Sequence, residues 1–289
     1  MTKPTEIRSH VLANLDHYLA ELDKQLTAQG GTVVYLRGAD EVADYLELLT
    51  REREIPVPGG AESLRRHAER IEPGVEAYLR GESPADADTE SLELADGALR
   101  ISAAAFLIAD AGAICLTGEH PGGTGPKIQV VVAGIEKVLP RMRDLAVFLP
   151  LLPSDTTRFL TGPRRAGELD GPEELCLILV DGGRSELLAK ERRDLLRCVR
   201  CGACLPGRAG GGGVDCPVGI DTEGLPLRLR EEAPLEVGGW KFRLWGYVMR
   251  KPRLYEFAGQ MLRAFWREEW GLPAPPAKSF RQAWREGKK

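Results

Sequence analysis

Four cysteines within nineteen residues constrain this 289-residue chain more than any other feature of its sequence. Three follow a C-x2-C-x2-C spacing and the fourth precedes a proline; they are Cys198, Cys201, Cys204 and Cys216. Three thiolates at three-residue steps can hold one corner of an iron–sulfur cubane, and a more distant cysteine completes the ligation. The spacing therefore predicts one 4Fe-4S cluster bound by these four residues.

Zinc is the competing metal, and a site that has lost its metal is a third alternative. Structural zinc sites usually consist of two separated C-x2-C hooks, and here the third thiol follows the second too closely for that pattern. Eleven residues separate Cys204 from Cys216, and they include four consecutive glycines, Gly210–Gly213. A flexible loop of this kind closes at a modest entropic cost, so Cys216 remains within reach.

Apolar runs of strand length alternate with segments of helical periodicity along the first two thirds of the chain. The predicted strands are Thr32–Leu36, Ala113–Thr117, Ile128–Ala133 and Leu175–Asp181. The predicted helices are Ile7–Leu26, Asp40–Thr50 with Asp40 as N-cap, Ala61–Ile71, Met142–Leu152 and Ser185–Leu196. This alternation predicts an α/β domain over residues 1–195, followed by an iron–sulfur module over 196–235 and a third region over 236–289.

All five tryptophans lie in the third region, among several arginines and lysines at helical spacing. Two amphipathic helices are predicted there, followed by an extended Pro-rich tail. Three interpretations remain open for these helices: a hydrophobic cover for the cluster, a docking face for a partner subunit, or a helix at a membrane surface.

Other candidate residues give weaker signals. The loop Gly118–Pro126 with Lys127 fits neither common phosphate-binding motif and is interpreted as an anion site or a surface turn. His120 beside Glu119 is a weak candidate for a catalytic pair. Cys115 and Cys176 stand in apolar stretches and are predicted to be core residues. No catalytic residue is therefore predicted.

Composition excludes several classes of function. The formal net charge of −4 argues against a general nucleic-acid-binding protein, which usually carries an excess of Lys and Arg. No run of eighteen apolar residues predicts a transmembrane helix, and the charged first residues do not resemble a secretory signal. We therefore expect a cytoplasmic protein, in which clustered cysteines are interpreted as a cofactor site before disulfides.

The ordered motifs resemble those of the LUD-domain iron–sulfur proteins of lactate utilisation (LutB-like). The similar segments are Asn14–Leu19, Ala109–Gly112, Gly134–Pro140, Thr161–Pro163, Gly171–Leu175, Asp181–Ser185, Leu196–Cys204, Cys216–Asp221 and Leu272–Phe280. Members of this family normally carry two cysteine motifs that each end in Cys-Pro. Here the front of the first motif is joined to the end of the second, which leaves ligands for one cluster.

The resemblance implies a LUD domain of the NagB/RpiA/CoA-transferase-like type, a small helical ferredoxin-like module and C-terminal helices. It also implies an electron-transfer subunit of a complex that oxidises L-lactate, or a related 2-hydroxy acid, to the 2-oxo acid. The expected partners are other subunits of that complex, one of which carries a flavin or a further iron–sulfur centre. The alternative is a LUD-domain scaffold or metabolite-binding protein with a structural metal or cluster site.

Overall fold

The computed structural model describes residues 3–73, 91–118, 125–152, 156–166, 168, 170–190, 193–201, 203 and 216–220, all within one compact unit, Met1–Pro226. Its helices are α1 (Pro4–Ala13), α2 (Leu15–Ala28), α3 (Ala39–Glu52), α4 (Gly60–Ile71), α5 (Met142–Phe148) and α6 (Arg184–Leu188). Its strands are β1 (Thr32–Leu36), β2 (Leu92–Leu94), β3 (Leu99–Ala103), β4 (Phe106–Ile108), β5 (Ala113–Thr117), β6 (Ile128–Gly134), β7 (Val138–Leu139), β8 (Thr157–Leu160) and β9 (Glu174–Val180).

The strands form two sheets. The first has the order β1-β9-β6-β3-β2; its first four strands are mutually parallel and β2 is antiparallel to β3. The second has the order β7-β4-β5-β8, with β7 parallel to β4 and the other pairs antiparallel. The predicted α/β class is confirmed: α3 and α4 lie between the parallel strands β1 and β3 along the chain, and α5 lies between the parallel strands β6 and β9.

The first sheet is covered on both faces, as the continuous apolar character of β6 predicts. Along β6, Val130 and Val132 pack into one hydrophobic core cluster while Val131 and Ala133 pack into the other. The first cluster includes apolar residues of α3 and α4, and the second includes those of α1, α2 and the second sheet. Cys176 and Cys115 are buried in these two clusters respectively, which confirms the prediction that they are core residues.

The predicted helix Ile7–Leu26 is wrong as one continuous element, because it breaks at Asn14 between α1 and α2. The side-chain amide of Asn14 donates a hydrogen bond to the carbonyl of His10 at 2.9 Å. Short polar side chains of this kind compete with the helical backbone. Asp40 likewise lies in the first turn of α3 rather than at its N-cap, which is Gly38.

The predicted helix Ser185–Leu196 is also wrong as one element. The structure has α6 and a separate 3-10 turn at Arg193–Arg197. Leu187 and Leu196 both pack against Leu12. In one straight helix, residues nine positions apart point in directions about 180° apart, so both leucines reach Leu12 only because the helix ends between them.

None of the helices in the described part of the chain has the length and apolar character needed to cross a bilayer.

Candidate metal centre and a buried charge cluster

Three of the four predicted cluster ligands lie within the described residues, and the structure brings them to the same region. Cys198, Cys201 and Cys216 are half-buried, are not in disulfides, and pack against the core formed by α1, α2 and the second sheet. The fourth predicted ligand, Cys204, lies outside the described residues.

The Cys198 thiol experiences the charges of its neighbours. Burial raises its pKa to about 11, while a hydrogen bond from the backbone N–H of Arg200 and the charge of that arginine act in the opposite direction. Cys201 and Cys216 raise the same pKa through charge repulsion, so both lie within electrostatic range of Cys198. No three His, Cys, Asp or Glu side chains among the described residues are arranged to hold a metal ion.

Arg8 anchors the backbone that leads into Cys198. It is 1% exposed, and it donates hydrogen bonds to the carbonyls of Glu136 and Leu196, both at 2.6 Å, and of Arg197 at 3.3 Å. Burial lowers its pKa to about 10, against the opposing charges of Glu136 and Cys198. One cation from α1 therefore connects the α/β domain to the cysteine segment.

Replacing Arg8 by Met is expected to destabilise the protein by on the order of 3 kcal/mol, because buried carbonyl groups lose their donors. The loss is expected to loosen the backbone near Cys198 first. Hydrogen-exchange mass spectrometry should show faster exchange in peptides covering Leu196–Cys201. Arg37→Met, at an exposed arginine, is the matched control. Equal exchange in the two variants would contradict the anchoring role.

A second group of charged side chains is buried beside the cysteine segment. This buried charge cluster consists of Glu72, Glu136, Lys137, Arg184 and Arg200. One Glu72 carboxylate oxygen accepts hydrogen bonds from Arg184 at 2.6 Å and from Arg200, and the other accepts one from Lys137 at 2.6 Å. Arg184 also forms an ion pair with Glu136. The side chains of Glu72 and Arg184 are 1% and 0% exposed, so this network is shielded from water.

The buried charge cluster lies where the parallel strands of the first sheet end. Glu136 and Lys137 follow β6, and Arg184 begins α6 shortly after β9. Lys137 also donates a hydrogen bond at 2.7 Å to the carbonyl of Ala104, the residue after β3. A Cβ atom at Gly134, the last residue of β6, would collide with Glu136 and Arg184. Open α/β sheets bind ligands at this carboxyl-terminal edge.

The charges of the cluster shift one another's pKa values. Burial alone would raise the pKa of Glu72, but Arg200, Lys137 and Arg184 together lower it to about 2. Burial, followed by the charge of Arg200, lowers the pKa of Lys137 to about 8, although Glu72 and Glu136 oppose this shift. The Glu72 carboxylate is therefore ionised at neutral pH and is surrounded by cations.

Glu72 is expected to make stability depend on pH in the acid range. The carboxyl has a pKa of about 2 when folded and 4.5 as a free group, so its contribution is complete above about pH 4.5 and is lost as the pH falls towards 2. Glu72→Gln should lower the free energy of unfolding at neutral pH by on the order of 3 kcal/mol, and this deficit should shrink below pH 4.5. Urea unfolding at a series of pH values measures it.

Glu69→Gln is the control, because Glu69 is an exposed residue of α4 close to Glu72 in the chain. This variant should show the same dependence of unfolding free energy on pH as the wild type. A Glu72→Gln deficit that stays constant from neutral pH to pH 2 would show that the charge of Glu72 contributes nothing.

The charge cluster was missed by sequence reasoning, because its members are far apart in the chain and each alone is a common charged residue. None of its members carries a local sequence signal of burial. Arg8, which bonds the backbone of Glu136 and is not a member of the cluster, does carry one, because it occupies an apolar position in the pattern that continues with Val11, Leu12 and Leu15.

Of the remaining sequence-based candidates, the structure places Lys127, which is exposed and whose backbone forms hydrogen bonds with Gly97 and Glu174. Glu119 and His120, in the glycine-rich loop, lie outside the described residues, as do the tryptophan-containing helices and the Pro-rich tail. Their interpretations stay predictions.

The fold and its buried site define a mixed α/β protein in which parallel strands end at a cluster of charges. Residues 19–180 match the LUD domain, which is more than half of the chain. The chain therefore belongs to the LUD-domain family, and the resemblance to its LutB-like members is confirmed.

Curated relatives carry names that refer to electron transport and lactate. The chain is 27% identical over 266 residues to the "Uncharacterized electron transport protein YkgF" of Escherichia coli, with 70% of this chain and 56% of that protein covered. It is 29% identical over 269 residues to "Lactate utilization protein B" of Anoxybacillus flavithermus (69% and 56% covered). The protein of the same name from Bacillus subtilis is 27% identical over 264 residues (69% and 55%). The chain thus matches little more than half the length of these relatives.

A solved structure, of a DUF162 family protein from Deinococcus radiodurans, shares 14% sequence identity with a TM-score of 0.35, and the match covers 57% of this chain and 98% of that chain.

Proposed function

We propose that this protein is an iron–sulfur electron-transfer subunit that acts in lactate utilisation. In this proposal Cys198, Cys201, Cys204 and Cys216 bind one 4Fe-4S cluster, which accepts and passes on single electrons. The names of the relatives, one an electron transport protein and two lactate utilization proteins, support both halves of the proposal. The ferredoxin-like module over 196–235 and the helices over 236–289 are part of the same proposal.

The observation that carries the proposal is that three of the four predicted ligand cysteines pack against the same core and that none of the three is in a disulfide. Cys198 also interacts electrostatically with Cys201 and Cys216, although fourteen residues lie between Cys201 and Cys216 along the sequence. Thiolates are the usual ligands of iron–sulfur clusters, and the backbone N–H of Arg200 provides Cys198 with the kind of sulfur hydrogen bond that tunes such clusters. The donor atoms are therefore of the type that the proposed group requires, whereas the described thiols are not arranged around one metal position in this structure.

The surrounding charges fit an anionic cofactor. Arg8 and Arg200 both interact electrostatically with Cys198. Together with Lys137 and Arg184, they bring four cations into the same region of the described chain, where Glu72 and Glu136 supply two anions. A buried excess of positive charge favours thiolates and an anionic cluster beside it.

A single cluster transfers one electron at a time, whereas oxidation of a 2-hydroxy acid releases two. The proposed complex therefore needs a flavin or a second metal centre on a partner subunit. The isolated chain is expected to show no lactate oxidation of its own.

Purification under argon tests the cofactor directly. The protein is expected to be brown, to contain about four irons per chain and to lose its visible absorbance when dithionite is added. A colourless preparation that contains one zinc per chain would overturn the iron–sulfur proposal.

A second candidate is a LUD-domain scaffold or metabolite-binding protein whose cysteine site is structural. The packing of the cysteine segment favours it, because Val199, Val218 and Ile220 are buried in the same core as the α/β domain. A metal that holds this segment would contribute directly to stability.

A further inference from the structure

The carboxylate of Glu72 is held in the way that proteins hold a bound carboxylate ligand. Arg184 and Arg200 bond one of its oxygens, and Lys137 bonds the other at 2.6 Å. Charge-assisted hydrogen bonds to both oxygens are the usual means of recognising a carboxylate. The backbone carbonyl of Pro73 also accepts a hydrogen bond from Arg184 at 3.2 Å, so Arg184 contacts both Glu72 and the residue after it.

The three cations come from separate segments of the chain. Lys137 follows β6, Arg184 follows β9, and Arg200 belongs to the cysteine segment. Glu72 belongs to a fourth segment of the chain. It directly follows α4, which packs against one face of the first sheet. The three cations thus surround one position at the carboxyl-terminal edge of the sheet, where open α/β sheets bind ligands. The side chain of Glu72 reaches this position from the end of α4.

The charges show what removal of Glu72 would leave. The two carboxylate oxygens of Glu72 accept hydrogen bonds from Lys137, Arg184 and Arg200. Without Glu72, each of these three cations would lose an acceptor, and a lost acceptor at a buried donor is costly. The vacated position would therefore attract a carboxylate of matching shape, which can restore the same charge-assisted hydrogen bonds.

We propose that Lys137, Arg184 and Arg200 form a binding site for a small carboxylate, and that the side chain of Glu72 occupies this site as a built-in ligand. A free carboxylate must compete with a tethered one, whose effective concentration is high. The wild-type protein is therefore closed to external carboxylates unless the end of α4 withdraws. None of the four residues of this site is itself a proposed cluster ligand, and Arg200 lies between the proposed ligands Cys198 and Cys201.

Chemical rescue tests the proposal. Glu72→Ala in the full chain is expected to have a lowered melting temperature, and sodium acetate is expected to raise it by several degrees in a saturable way. Sodium chloride at the same ionic strength and acetamide, a neutral molecule of similar shape, should have no comparable effect. Wild-type protein and Glu69→Ala should not respond specifically to acetate.

Glu72→Gln provides a second variant if the alanine variant does not fold, because it keeps the shape of the side chain and removes only its charge. The three cations hold an amide less strongly than a carboxylate, so acetate is expected to displace it and to stabilise this variant more than the wild type. The proposal is overturned if acetate stabilises neither variant more than chloride does, or if acetamide acts as well as acetate. The readout is thermal stability rather than iron content, so this proposal and the electron-transfer proposal can fail independently.

Discussion

Cys201→Ser is expected to abolish cluster binding, with iron falling from about four per chain to well below one and the visible absorbance lost. Serine has nearly the size of cysteine but does not supply the thiolate that iron–sulfur clusters require. Iron analysis and absorbance spectra of anaerobically purified protein measure this effect. Cys115→Ala is the matched control, because Cys115 lies in the core among apolar residues and should leave the iron content unchanged.

The same variant separates the two proposed functions. If the cluster serves electron transfer, Cys201→Ser should lose iron while the α/β domain keeps most of its stability. If the site is structural, the variant should melt at a markedly lower temperature, because the energy of metal binding is then part of the energy of folding. Iron content equal to that of the wild type would contradict the ligand assignment itself.

Arg184→Met is expected to cost about 3–5 kcal/mol of unfolding free energy, because it leaves two buried carboxylates without their shared cation. Arg184 is fully buried and bonds Glu72 at 2.6 Å, the carbonyl of Asp181 at 3.1 Å, and Glu136. Urea unfolding at neutral pH, followed by circular dichroism, measures the loss.

Two further variants make this result specific. Arg184→Lys keeps the positive charge but replaces the planar guanidinium, which can donate to several acceptors at once, by an ammonium group. An intermediate loss of unfolding free energy is therefore expected. Arg51→Met removes an exposed arginine that pairs with Glu47 at 2.7 Å, and such surface pairs contribute roughly 0–1 kcal/mol. If Arg184→Met loses no more stability than Arg51→Met, the buried charge cluster does not support the fold.

The strands were the most predictable part of the fold. β1 and β5 were predicted with their observed bounds, and β6 and β9 to within one residue at either end. Their β-branched and apolar side chains form short runs bounded by glycine or polar residues, which favours strands. β5, β6 and β9 are buried along nearly their whole length, as such runs predict, whereas β1 is a half-exposed edge strand. The pairing of β1 with β9 was not predicted, since it depends on contacts between distant parts of the chain.

The helices were predicted less well where the pattern of apolar residues continues through a break. Periodicity predicts a single helix through Asn14, but the side chain of that residue bonds the backbone one turn earlier, which apolar periodicity does not record. Between Leu187 and Leu196 the helix ends, and both residues belong to one apolar cluster with Leu12. This second break depends on a residue that is distant in the chain.

The residues of the candidate site also differ in how far the sequence predicts them. The cysteine ligands are predicted from their spacing within a short segment, and this assignment stays a prediction. The buried charge cluster was not predicted, because Glu72 and Arg200 come together only through the fold. Sequence motifs contained Lys137 and Arg184, but nothing local indicated that their charges would be buried.

The bonds between Arg8 and the backbone at Leu196 and Arg197 have a consequence for biosynthesis. These partners are 188 and 189 residues apart, so the first helix cannot reach its final position until nearly 200 residues have left the ribosome. At about 5–20 residues per second, this takes roughly 10–40 s. The apolar faces of the N-terminal helices can be covered earlier by β4, β5 and β7, which belong to the same core, so the bonds to Leu196 and Arg197 form last. Docking of the segment that contains Cys198 follows late in synthesis, so any metal it binds there is acquired after the α/β domain has been translated.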